Sequence, residues 1–162
     1  MMSAVVLRNF ALFVPVLTAL LATACGVANP ASPGAPAAPY TAELRLCVDE
    51  INRYRASVGR PLLQRSAALE AFAAAAAERD GTVHSAHNHF LRTNGGGTAL
   101  AETEILWWHG FALKDVIQQG LAQMWRVGPG GEHYDILSGP YTEVGCGVFV
   151  NGAEMTVSQD FR

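Results

Sequence analysis

The chain predicts an α+β domain in which helices come first and pack on a small antiparallel sheet built from its C-terminal end. Two observations carry that reading. Apolar residues recur at three- and four-residue intervals up to Met124, and from Val144 onward they alternate one by one around an Asn-Gly pair. Of 162 residues, 50% are hydrophobic and 15% charged, with a net charge of -3, which describes one globular domain and gives no electrostatic case for nucleic acid.

Residues 1–24 read as a signal peptide: Arg8 precedes an apolar run from Phe10 to Leu21 that is too short and wrongly flanked to remain as a membrane span. "LATAC" then reads as a lipobox, with Cys25 the residue to be lipidated and the sole link to the membrane, although Ala22 replaces the usual leucine. "ATA" equally suits ordinary cleavage and a secreted chain. Residues 25–40 form a tether, because Pro30, Pro33, Pro36 and Pro39 break any helix. The packing part, residues 41–162, is a domain of roughly 120 residues, enough for one core. Its only cysteines, Cys47 and Cys146, are expected to pair outside the cytosol, the alternative being two separate buried thiols.

Thr41 can cap a first helix carrying Leu44, Cys47, Val48, Ile51 and Tyr54, which Gly59 and Pro61 end. A second helix starts at Ser66 with Leu69, Phe72, Ala73, Ala76 and Ala77 on one face. Its "AFAAAAAE" run has strong helix propensity and little bulk, so another element can approach closely. From Gly81 to Ala101 no helical period survives, and a loop is expected that holds "HSAHNHF", with His84, His87 and His89. Leu113, Val116, Ile117, Gly120, Leu121 and Met124 mark a third helix that stops at Gly128 and Pro129, and a short helical turn fits Tyr134 to Leu137. Val144, Cys146, Val148 and Val150, then Ala153, Met155 and Val157, form two strands joined at Asn151-Gly152.

The segments "NRYRASVGRPLL", "MWRVGPGGEHY" and "YTEVGCGVF…VSQDF", in that order, resemble the CAP superfamily (cysteine-rich secretory proteins, antigen 5 and pathogenesis-related proteins) in a bacterial form, over Leu44 to Phe161. The resemblance implies an α-β-α sandwich with a surface cleft where two histidines and two acidic residues face each other and can hold a divalent metal. It places His133, in "EHY", at the family's "GHY" histidine, and Glu102, in "AET", at the glutamate of "GEN". The other histidine is one of the "HSAHNHF" trio, His87 or His89 rather than His84. Arg126 and Val127 stand where the family has its second glutamate, with Glu132 a neighbouring substitute.

The residues themselves allow His133 and one imidazole of His84, His87 and His89, with His87 put first and His89 the alternative, as two nitrogen ligands of a weakly held zinc, with Glu102 as an oxygen ligand or general base. They equally allow these side chains to bond one another and fix the loops. No Gly-x-Ser-x-Gly elbow occurs, and Ser85 beside the histidines suits a loop turn. Of the adjacent pair Trp107 and Trp108, one is expected to anchor the core and the other to face out, with Trp108 a candidate ligand contact at the cleft. The leading expectation is an exported, lipid-anchored domain that binds an envelope or extracellular lipid, glycan or protein through a cleft lined by His87, His89, Glu102, Trp108, Glu132 and His133. A metal-assisted hydrolase of peptide or envelope polymer is the alternative, and a structural envelope lipoprotein a third.

Overall fold

Helix α1 (Thr41–Ser57) buries Cys47, Val48, Ile51 and Arg55, and the left-handed Gly59 turns the chain out of it. Thr41 is its first helical residue, and Tyr40, itself left-handed, holds the N-cap position expected for Thr41. The computed structural model describes residues 39–162, so the signal sequence, most of the tether and the lipidation reading at Cys25 lie outside the described residues. After the two-residue strand β1 (Gln64–Arg65), Ser66 takes the N-cap of α2 (Ala67–Val83). The expected loop beyond Gly81 is more ordered than its composition suggests: α2 runs on to Val83, and α3 (Asn88–Thr93) and a 3-10 turn (Asn94–Gly97) follow.

Strand β2 (Ala101–His109) was not expected from periodicity. It is followed by α4 (Leu113–Arg126), α5 (Glu132–Leu137), β3 (Glu143–Asn151) and β4 (Glu154–Phe161). The sheet order is β1-β3-β4-β2. β3–β4 and β4–β2 are antiparallel, but β1 runs parallel to β3, so the sheet is mixed rather than purely antiparallel. The hairpin loop is Gly152–Ala153, since Asn151 still pairs with Glu154; Gly152, at φ +62°, supplies the backbone that the turn needs.

Register divides the residues between two faces. Val144 and Cys146 on β3, Val157 and Phe161 on β4 and Ile105 on β2 pack with Cys47, Ile51, Val116, Ile117 and Leu121 of α1 and α4, forming the main core. Cys47 and Cys146 are disulfide-bonded across that layer, with Cα atoms 6.4 Å apart. The opposite face meets α2. A Cβ on Gly147 would stand 2.1 Å from the carbonyl carbon of Ala73, and one on Gly145 would stand 2.3 Å from the backbone of Leu69 and Glu70. Two glycines on the strand and a row of alanines on the helix let α2 lie directly on the sheet, the close approach that the alanine run predicts. The result is three layers, α2 and α3 over the sheet over α1, α4 and α5.

Candidate functional site

β2 ends the sheet, so among the described residues its outer edge is free of strand pairing, and its alternating residues Glu102 and Glu104 point to the α2 face opposite Asp160 and Ser158 of β4. Both glutamates are buried, 5% and 6% exposed, as are Asp160 and Asp80 of α2. Four acids therefore share one low-dielectric region, where charge must be neutralised by protons, donors or a cation. Burial, reinforced by Glu102, pushes Asp160 up to about 9. Burial also pushes Glu104 up to about 8, against the opposing pull of the His87 backbone N–H.

His87 supplies the basic group. It sits at the N-cap of α3 with φ +55°, a left-handed conformation that costs a non-glycine residue roughly 1–2 kcal/mol. Its backbone N–H donates to Glu104 Oε2 at 2.6 Å, which holds the turn in place. Its ring Nδ1 lies 2.9 Å from Glu102 Oε1 and 3.5 Å from Glu104 Oε2. The Glu102 hydrogen bond raises the imidazole's pKa, so His87 is a better cation than a free histidine. On the far side of Glu102, Ser158 Oγ lies 3.1 Å from Glu102 Oε2 and 3.3 Å from Asp160 Oδ2. With Asp160 protonated, its proton can serve Ser158, whose own hydroxyl hydrogen serves Glu102. Glu102 is thus held from both sides.

His87, Glu102 and Glu132 line one cavity of 350 Å³ with Leu91, Leu100 and Ile136. Glu104, Trp108 and His133 line a second, of 290 Å³, with Val127 and Met124. Both open along β2, so Glu102, Glu104, His87 and His133 belong to the same side of the molecule. Among the described residues, the group whose ligand atoms gather within 4.8 Å is His87, Glu102 and Glu104; His133 is not part of it. The end of α4, at Arg126 and Val127, offers no carboxylate, and the second carboxylate beside His87 is Glu104 of β2.

The other histidines go elsewhere. His89 was expected to line the cleft, but one residue of helical rotation beyond Asn88 turns its ring onto Phe72, 4.9 Å between centroids, and into a separate cavity with Glu78 and Arg79. His84 stacks on Trp107, 5.5 Å away, with Nε2 3.0 Å from Glu154 Oε1. A β-bulge between Ile105 and Trp108, with Trp107 at φ +57°, explains the tryptophan pair. The extra residue returns Trp108 to the α4 side, packed against the core, and leaves Trp107 over His84. Neither ring is fully buried, unlike the single buried anchor expected.

Sequence reasoning missed Glu104, Asp160, Asp80 and Ser158. The signal was the polar alternation in "ETE" and in Ser158-Gln159-Asp160, legible only once both segments are known to be neighbouring strands.

A three-layer α-β-α sandwich with a histidine–glutamate cleft along one sheet edge defines the class of domain to which this chain is to be compared. The sequence profile of the Cysteine-rich secretory protein family (CAP) matches residues 48–161, and the chain belongs to that family. Among solved structures it is similar to an outer surface protein from Borrelia burgdorferi, at 14% identity and a TM-score of 0.54, over 77% of this chain and 96% of that one. No curated protein matches it in sequence.

Proposed function

We propose that this CAP domain binds a ligand or partner at the cell envelope through the cleft along β2, and that lipidated Cys25 and the proline-rich tether hold it at the membrane. The observation that carries the reading is the composition of the 350 Å³ cavity: Leu91 and Leu100, 72% and 71% exposed, flank a floor of His87 and Glu102. Exposed leucines beside a few convergent polar groups are the composition of a ligand site, and they cost solubility if nothing covers them. The likeness to a protein named as an outer surface protein supports the envelope location, as does the signal-like N-terminus.

The test is a chemical-shift screen of envelope lipids, glycans and peptides against the full chain. Ligands should perturb His87, Leu91 and Leu100 together, and Leu91→Ser with Leu100→Ser should abolish the response while melting is unchanged. Perturbations confined to other surfaces would overturn the reading. Intact mass of the membrane fraction tests the anchor, which an unmodified Cys25 would rule out.

The convergence of one ligand atom each from His87, Glu102 and Glu104 within 4.8 Å favours a second reading, a metal-assisted hydrolase. Three protein donors are the set of an open zinc site, and the buried Glu104 Oε1, which has no partner among the described residues, fits a second coordinating oxygen. A zinc ion bound there would polarise a substrate carbonyl or activate water. Zinc titration separates the readings: binding lost in both His87→Ala and Glu104→Gln supports the hydrolase, and binding unaffected by either excludes this metal set.

A further inference from the structure

At the sheet edge opposite the cleft, beside β1, Arg55 and Arg60 line one cavity, and neither has a carboxylate partner among the described residues. Arg55 is 1% exposed, yet its hydrogen bonds go to neutral carbonyls: Nε to Pro61 O at 3.0 Å, and Nη1 to Leu137 O at 2.8 Å and Gly139 O at 2.9 Å. Nη2 bonds to none of the described residues. Among those residues the arginine ion pairs are Arg53–Glu50, Arg65–Glu70 and Arg162–Glu143, so neither Arg55 nor Arg60 has one. Buried charges are ordinarily paired, because dipoles alone offset only part of the cost of leaving water. Here the neighbour makes matters worse. Desolvation and then the like charge of Arg60 both depress the Arg55 pKa.

Arg55 and Arg60 line a cavity of 560 Å³ with Gln64, Tyr141, Thr142 and Glu143, larger than either cavity of the cleft. Arg60 is exposed, and among the described residues the hydrogen bond it makes uses its backbone N–H, to Arg55 O, so its guanidinium can turn inward. Glu143, the one acid in the lining, is engaged by Arg162 and Ser66, which hold its pKa down. The local balance is therefore positive on a chain whose net charge is -3.

We propose that this cavity is an anion site, in which Arg55 Nη2 and the Arg60 guanidinium take a phosphate or carboxylate group of a ligand whose remaining atoms fill the space toward Tyr141 and Thr142. The paired guanidinium groups supply charge-assisted donors, and Tyr141 supplies an apolar wall with a polar tip. The site is separate from the cleft, and its occupancy does not depend on what the cleft binds.

Inorganic phosphate and acetate, titrated separately at constant ionic strength into the full chain, test it by two-dimensional NMR. Saturable shifts at Gln64, Tyr141 and Thr142 with either anion support the site, and the anion that produces them identifies the headgroup. Arg60→Gln, at an exposed position that leaves the fold intact, should weaken binding about tenfold. Glu143→Gln, which removes the only negative charge in the lining, should tighten it. No saturable shift with either anion, or equal affinity in the parent and Arg60→Gln, would overturn the proposal.

Discussion

Three of the four acids on the cleft floor keep an oxygen without a partner among the described residues: Asp80 Oδ2, Glu104 Oε1 and Asp160 Oδ1. Protons held by Asp160 and Glu104 account for how these groups coexist with one histidine. Stability should then depend on pH with a definite sign. The unfolded chain gives up the Asp160 proton near pH 3.8, whereas the folded protein keeps it until about 9, so folding weakens as pH rises through that window. Glu104 adds the same trend between 4.5 and about 8. His87, whose pKa is raised, stabilises fully below 6.5 and loses that contribution as pH climbs through its folded value. Each proton difference is worth up to about 1.4 kcal/mol per pH unit. Asp160→Asn should melt several degrees above the parent at pH 8, with the gap narrowing steadily as the pH falls toward 4; parallel melting curves across that range would contradict the burial argument.

Among the elements, the seating of α2 on β3 admits the least change. Gly147→Ala places a methyl group where the Ala73 backbone already stands, and the strand must move away. Overpacking of this kind costs about 1–3 kcal/mol, read as a lower urea midpoint with an unchanged slope. Ala73→Gly, by contrast, leaves the backbone contact and should not rescue it. The helices were legible because α1 and α4 each bury one stripe against the sheet, which is what a three- and four-residue period records. β2 was not, for two physical reasons. Beyond Glu104 it reads Ile105-Leu106-Trp107-Trp108, apolar on both faces, and the bulge at Trp107 breaks the two-residue period that remains. β1 spans two residues and offers no period at all.

For the whole molecule, one covalent bond joins the first helix to the third strand across 99 residues. Closing so long a loop removes chain entropy worth on the order of 4–5 kcal/mol, so Cys47→Ser with Cys146→Ser should lower stability by about that amount in urea unfolding. The two cysteines were readable as a pair from their number and from the export that the N-terminal sequence leads one to expect. The cleft was only half readable. Glu102 and His133 could be placed on one side through the family resemblance, and His87 narrowed to one of two histidines, but the acids that surround them come from strands whose pairing no local pattern announces. The central contact of the cleft is that of His87, carried by a left-handed turn onto Glu102, which raises the pKa of the imidazole. The pKa of the His87 ring, followed by NMR in the parent and in Glu102→Gln, measures that contact directly. A value above 6.5 that drops when Glu102 loses its charge is the expected result; a value at or below 6.5, indifferent to Glu102→Gln, would mean that the two side chains do not meet.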